Sequence, residues 1–266
     1  MQKGVNIFSL KGKNALVTGA TGHLGSAIAS ILAEAGAHVF INSRSKERSE
    51  ALVNNLKASN FSADTAVFNV AVQEEVESFF SSLDDQPLHI LINNAYAGGA
   101  GTIEHSSANA YQESYDISVI AAHNLIKTAL PNLRCAVQES KDASVINIGS
   151  MYGMVSPDLG IYNSAFSANP PFYGAAKAAL IQWTRYAACE FGHEGIRVNS
   201  ISPGPFPSEN VQKNDPDFIE KLKKKVPMGR IGFPNEIKGP TLFLASSASS
   251  YVNGSNLIVD GGWVCW

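Results

Sequence analysis

Three side chains of this sequence have the types and spacing to move a proton beside a polarised oxygen: Ser150, Tyr173 and Lys177. A free phenol has a pKa of about 10, too high to exchange protons readily at neutral pH. An ammonium held within roughly 4–6 Å favours the phenolate and would bring the phenol toward working pH as a general acid/base. Tyr173 and Lys177 are four residues apart, which on a helix stacks them on one face. A serine hydroxyl nearby would donate a hydrogen bond to the same carbonyl or alcohol oxygen.

The elements that would carry these groups are legible on either side of them. Val145, Ile146 and Ile148 form a short apolar run ending at Gly149 and Ser150, the pattern of a buried strand that delivers a hydroxyl at its carboxyl end. From Ala175 to Phe191 there is no Gly or Pro, and Pro170 and Pro171 stand just ahead, so a helix is expected to begin there. Tyr162 competes for the proton-transfer role. However, Phe166 rather than a cation lies four residues beyond it, and the two prolines separate it from the helix. The role is therefore assigned to Tyr173.

A second constellation sits near the amino end. A strand over Lys13–Thr18 runs into Gly19, Gly22 and Gly25, followed by Leu24, Ile28, Ile31, Leu32 and Ala35 at helical spacing, and then by a strand over His38–Ser43. In such a strand–turn–helix–strand unit the glycines mean phosphate binding. Gly19 permits the tight turn, Gly22 lets the backbone approach a pyrophosphate at the positive helix end, and Gly25 lets helix and strand pack closely. Thr21, His23 and Leu24 share that turn. At the end of the second strand a carboxylate would hold the ribose hydroxyl of NAD, whereas an arginine accommodates the phosphate of NADP. Ser43 and Arg44 stand there, with no carboxylate before Glu47. NADP(H) is the expected preference, with NAD(H) possible.

The alternation continues. Strands are expected over Thr65–Phe68, Leu88–Ile92, Arg197–Ser202 and Asn256–Asp260, with helices around Glu74–Leu83 and through Leu125, Ile126, Ala129 and Leu130 to near Pro131. Strands and helices taking turns along the chain imply an α/β fold: one doubly wound parallel sheet, a Rossmann fold with helices on both faces, in a single domain spanning residues 1–266. The 266 residues are 45% hydrophobic and 16% charged, with a net charge of −3, a globular composition without the basic field that nucleic acid would call for. Three widely spaced cysteines and six histidines without ligand spacing indicate neither disulfide framework nor metal site. No apolar run reaches ~18 residues and the opening Met1–Asn6 lacks a leader's apolar core, so no membrane partner and a cytoplasmic location are expected.

Together these residues resemble the short-chain dehydrogenase/reductase family, in its shorter single-domain branch. The resemblance rests on Thr18 with Gly19, Gly22 and Gly25; Asn93, Asn94 and Ala95; Asn147 with Ser150; Tyr173 with Lys177; Asn199 with Pro203 and Gly204; and Val259 to Gly262, all in the family's order. It implies NAD(P)-dependent interconversion of an alcohol and a ketone. By that resemblance Tyr173 is the acid/base, Ser150 orients the substrate oxygen, and Lys177 holds the nicotinamide ribose and tunes the tyrosine. Asn94 supports the cofactor cleft, with Ala95 and Tyr96 beside it. Asn69 and Val70 meet the adenine, and Pro203, Gly204 and Phe206 line the nicotinamide side. Four departures stand out. His23 replaces the branch's usual middle glycine. Asn69 replaces an Asp. Tyr96 replaces a Gly. Ser118 occupies the position of an Asn that helps hold a proton-relay water.

The gap from Ser150 to Tyr173 is also longer than the family's, and this insertion, residues 156–171, is expected to wall the substrate pocket. A similar insertion occurs in relatives that modify surface sugars, which hints at a small, sugar-derived substrate; a 3-oxoacyl-carrier-protein reductase and a catalytically weak NADP-binding regulator are the rival readings. Residues 205–227 are expected to form a substrate lid, in which Lys221, Lys223, Lys224 and Lys225 make the solvated face of an amphipathic helix. Two tryptophans in the tail, Trp263 and Trp266, are expected to be buried against another copy of the chain in a tetramer or dimer.

Overall fold

Short runs of Val, Ile, Leu and Ala, apolar on both sides, bury best in the middle of a parallel sheet; such runs form its central strands here, with a more exposed strand at each edge. In the computed structural model, which describes residues 6–266, the strands are β1 (Asn14–Val17), β2 (His38–Ser43), β3 (Ala63–Val67), β4 (Ile90–Asn93), β5 (Ala143–Ile148), β6 (Ile196–Pro203) and β7 (Asn256–Val259). The opening stretch through Val5, read above for a leader, lies outside the described residues. All pairings are parallel, in the order β3-β2-β1-β4-β5-β6-β7. The order reverses between β1 and β4. That leaves a crevice at the carboxyl ends of the strands, where open α/β sheets bind ligands.

Among the described residues there are nine α-helices: α1 (His23–Glu34), α2 (Lys46–Ala58), α3 (Gln73–Leu83), α4 (Ala108–Tyr115), α5 (Ala121–Ser140), α6 (Pro171–Phe191), α7 (Glu209–Asn214), α8 (Pro216–Lys225) and α9 (Lys238–Ala245). Alternation along the strands sorts the core into two layers. Ala15 and Val17 of β1 pack with Ile28 and Leu32 of α1, Val53 of α2 and Leu244 of α9. Leu16 points the other way, onto Phe80 of α3, Leu125 and Leu133 of α5 and Phe191 of α6.

Helix α5 does not stop near Pro131 but runs on to Ser140 and ends at Lys141 in a left-handed turn. A proline inside a helix removes one backbone hydrogen bond. Here Pro131 and Lys127, the residue whose carbonyl loses its donor, are both exposed, so water can serve that carbonyl. Leu133 and Ala136 beyond the proline are buried in the core, and Asn132 donates to the carbonyls of Asp84 (2.7 Å) and Gln86 (2.8 Å). Tertiary contacts therefore override the local breaker.

The tail also differs from expectation. Trp263 is only 7% exposed, buried within its own chain against Tyr152, Ile161, Leu222 and Val226, whereas Trp266 is 78% exposed. This third small core joins the 156–171 insertion, α8 and the carboxyl terminus.

A buried ion pair fixes the far end of the sheet. Arg197, at the start of β6, donates from Nε and Nη2 to the Asp142 carboxylate (2.8 and 3.1 Å) and from Nη1 to Ser249 Oγ and the Leu244 carbonyl. Replacing it leaves the half-buried Asp142 carboxylate without its cation, while the Leu244 carbonyl keeps the Ser144 and Ser249 hydroxyls. Arg197→Leu should lower unfolding free energy by about 3 kcal/mol, since breaking a buried pair from one side is costly and Asp142 keeps partial access to water. Urea denaturation of the two proteins measures the loss.

Candidate active site

The glycine turn is built so that no side chain can occupy it. Gly19 has φ +59°, and a Cβ there would lie 2.9 Å from Ala95 Cα. A Cβ on Gly25 would lie 2.2 Å from the Gly19 carbonyl oxygen, so α1 can approach β1 this closely only with glycine at that position. Asn94 braces the turn, donating from Nδ2 to the carbonyls of Thr18 (2.9 Å) and Gly19 (3.1 Å), while Thr18 Oγ1 accepts the backbone N–H groups of Asn94 and Ala95. The first turn of α1 carries no acidic residue, and Gly22 supplies no side-chain cap. Its free N–H groups and positive dipole end therefore face the cleft.

Beside this turn lies a cavity of ≈ 420 Å³. Every residue assigned above to cofactor binding lines it: Gly19, Thr21, Gly22, His23, Leu24, Ser43, Arg44, Asn69, Val70, Asn94, Ala95, Tyr96, Tyr173, Lys177, Pro203, Gly204 and Phe206, together with Ser150. No Asp or Glu lines it. Sequence reasoning missed Arg48, a second guanidinium at the mouth one turn into α2, and Phe68 and Ile117 on the walls. Arg48 had a readable signal, being four residues after Arg44. Phe68 and Ile117 had none, because only the folded sheet brings them to the cleft. The donor set suits a dinucleotide phosphate: a helix amino terminus for the pyrophosphate, two guanidiniums and no carboxylate where an extra phosphate would sit.

Ser150, Tyr173 and Lys177 converge where this cavity meets a second one of ≈ 590 Å³. Ser150 lies two residues beyond the end of β5, and its Oγ accepts the Tyr152 N–H (3.1 Å), which holds the hydroxyl near the strand end. Pro171 opens α6, and Tyr173 and Lys177 lie in its first two turns, as the spacing required. Lys177 is buried, and its Nζ donates to the Ile148 carbonyl at 2.7 Å. That nitrogen lies 5.8 Å from the centre of the Tyr173 ring and 5.2 Å from that of Tyr96. Tyr162 is elsewhere: its hydroxyl pairs with that of Tyr152 (3.1 Å), and it touches only the second cavity.

The electrostatics correct one expectation. The Tyr173 phenol is held above its ordinary range, because burial disfavours the phenolate; a contact with the Ser150 hydroxyl opposes this, and the neighbouring Tyr96 adds to it. Burial, rather than the Lys177 charge, dominates the proton affinity of this phenol. The amine is itself desolvated and lowered to about 8, and its hydrogen bond is given to a backbone carbonyl instead. Tyr96 replaces empty space with a ring set edge-on to Tyr173, centroids 4.9 Å apart, and Gly98 makes room for it: a Cβ there would meet the Tyr96 hydroxyl at 2.3 Å.

Residues 116–120 form a π-helical turn between α4 and α5, a local widening that often marks functional sites. It turns Ser118 inward, where its Oγ is buried without a partner. Ser118, Asn93 and Lys177 share a small cavity of ≈ 10 Å³, about the room one water molecule needs.

A family model described as enoyl-(acyl carrier protein) reductase matches residues 19–264. The rhamnolipid-biosynthesis 3-oxoacyl-[acyl-carrier-protein] reductase of Pseudomonas aeruginosa is 34% identical, with 96% of this chain and 98% of that protein covered. Gluconate 5-dehydrogenase of Gluconobacter oxydans is 32% identical, with 97% and 96% covered. Among solved structures, a gluconate 5-dehydrogenase from Burkholderia cenocepacia in complex with NADP and tartrate superposes with a TM-score of 0.86 at 28% identity, covering 98% of both chains. The chain belongs to the short-chain dehydrogenase/reductase family. It is an NAD(P)-dependent oxidoreductase of the CH–OH class.

The buried amine makes stability depend on pH in a stated direction. Its folded value, about 8, lies below the ordinary 10.5. Between these values the unfolded chain binds more protons, so stability from this group rises with pH from about 8 to 10.5, and below about 8 its burial is a constant penalty. Denaturation at pH 7 and pH 10 should show the wild type gaining on Lys177→Met as pH rises; a constant difference refutes the burial of a titrating amine.

Proposed function

We propose that this protein is an NADP-preferring reductase of a small ketone, supported above all by a half-buried phenol, a strand-end serine hydroxyl and a buried amine meeting at the junction of the two cavities. When bound, the nicotinamide supplies the hydride. The chain does the rest. Ser150 gives its hydroxyl hydrogen to the substrate carbonyl oxygen, and Tyr173, kept protonated by burial, donates its phenolic proton to the oxygen as charge develops there. Lys177 holds a positive charge near the phenol ring and, with Ser118 and Asn93, encloses room for a water through which the lost proton is replaced.

Preference for NADP(H) is supported by Arg44 and Arg48 at the cleft mouth, by the lack of a lining carboxylate, and by the NADP complex of the gluconate 5-dehydrogenase. The whole chain acts as one NAD(P)-binding domain, and residues 205–227, containing α7 and α8, serve as the lid: Phe206, Val211, Phe218 and Leu222 wall the substrate cavity. A sugar-derived substrate is supported by the relatives named for gluconate. Reduction of a 3-oxoacyl thioester is the second reading, favoured by the Pseudomonas relative. Exposed apolar side chains at Ile120 and Tyr186 on one side, and Tyr251, Ile258 and Trp266 on the other, support a homotetramer. Free cysteines support a reducing, cytoplasmic setting. Among the described residues no helix is long and apolar enough to cross a membrane.

NADPH oxidation with a panel of ketoses, small ketones and acetoacetyl thioesters tests the activity. Tyr173→Phe should cut kcat by about 10²–10⁴ while NADPH still binds, and Tyr162→Phe should cost less than about tenfold; the reverse pattern would reassign the acid. In fluorescence titrations Arg44→Asp should shift the NADPH-over-NADH affinity ratio by about tenfold or more toward NADH, and an unchanged ratio would remove Arg44 from the phosphate site.

A further inference from the structure

The wall of the larger cavity has a chemistry of its own. Asp215 is its one carboxylate, and no lysine, arginine or histidine lines it. Asp215 caps α8, accepting the Phe218 N–H at 3.1 Å, and also accepts from Asn163 Nδ2 at 3.0 Å. Two lysines of α8 are engaged in ion pairs, and a third is held behind the wall by Asn163. Lys225 pairs with Asp158 of the insertion, Lys223 with Glu220 at 2.6 Å, and Lys221 donates to Asn163 Oδ1 at 3.3 Å. A carboxylate entering this space would lose hydration, find no cation among the lining side chains to replace it, and meet Asp215.

What the wall does offer is flat rings and neutral polar groups. Tyr162 and Phe218 form a tilted pair, centroids 5.4 Å apart at 33°, joining the insertion to the lid. The Tyr152 and Tyr162 hydroxyls pair at 3.1 Å on the same wall. Asn169 Oδ1 is buried and accepts no hydrogen bond, a cost that an incoming hydroxyl would remove. Aromatic faces receive the C–H face of a ring, and amide and phenol groups read hydroxyls without charge.

We propose that the pocket selects an uncharged, ring-shaped, hydroxylated ketone, such as a neutral sugar or a cyclitol ketone, over a sugar acid. Its ring lies on Phe218 and Tyr162, and Asn169 Oδ1 accepts one of its hydroxyls. The claim rests on the reductase reading above and deepens it. It separates this chain from the relatives named for gluconate. The step itself balances as any such reduction does: hydride from NADPH to the carbonyl carbon and a proton to the oxygen yield the alcohol and NADP⁺.

The test is NADPH oxidation by the intact protein with keto-inositol (neutral, cyclic, hydroxylated), 5-keto-D-gluconate (acidic) and cyclohexanone (no hydroxyl). The expected kcat/KM for keto-inositol exceeds that for 5-keto-D-gluconate by about tenfold or more, because buried polar sites discriminate at least that strongly. Asp215→Asn keeps a helix-capping side chain and should raise the acid-to-neutral ratio about threefold or more. Asn169→Leu should narrow the preference for keto-inositol over cyclohexanone about tenfold, through KM. Ratios within one variant are insensitive to partial misfolding. A wild-type preference for the acid, or an acid-to-neutral ratio indifferent to Asp215→Asn, overturns the proposal. If no carbonyl compound is turned over, the reductase reading fails instead; calorimetry of the NADP⁺-loaded protein with myo-inositol and gluconate then decides the selectivity alone, and tighter binding of gluconate overturns it.

Discussion

A single hydrogen bond, from the buried Lys177 ammonium to the Ile148 carbonyl, couples the two elements that make the site. It joins α6 to the last residue of β5, two positions before Ser150 and one helical turn after Tyr173. An amine so buried must find a partner, since an unpaired charge away from water is among the costliest things a fold can contain. The backbone carbonyl at the strand end meets that need, and the phenol and the serine hydroxyl are brought together as a consequence. Behind this bond runs a buried polar chain: Asn93 of β4 donates to Asn147 of β5 at 2.7 Å, and Asn147 donates to Thr184 of α6 at 2.8 Å. Two strand ends and the helix that carries the acid are thus locked in register by groups that water cannot replace.

The rest of the cleft depends on backbone proximity. Gly19 and Gly25 let α1 come so close to β1 that its amino terminus opens directly on the cavity, and Asn94 holds the turn from β4. The phosphate end of the first cavity is therefore made largely of main chain. The second cavity is walled by side chains from distant segments, the insertion and residues 205–222, which a small core around Trp263 and the Lys225–Asp158 pair hold together. That division places variation in substrate on the part of the molecule where loops and short helices meet.

Much of the architecture was readable because parallel strands buried on both faces must be continuous apolar runs, and the helices between them repeat at a different period. The seven strands read from sequence fall within two residues of their observed bounds. Proline in α5 misled because its rule is local, while the burial of Leu133 and the bonds from Asn132 to the Asp84 and Gln86 carbonyls tie the helix beyond the proline to the rest of the fold. The tail misled for a similar reason. Hydrophobicity says that Trp263 must be covered, but not by what, and its own lid covers it.

By itself the sequence determined which residues meet at the cofactor cleft, because short spacings such as Gly19 to Gly25 and Tyr173 to Lys177 are set by the geometry of one turn and one helix. Tertiary structure decided what those groups are ready to do. The proton affinity of Tyr173 is set by burial, Ser150 and Tyr96, and the reach of Lys177 by a carbonyl on another element, none of which helical spacing can report. It also decided the character of the substrate cavity, because Asn169, Asp215 and Phe218 come from segments whose distance along the chain carries no information about their distance in space.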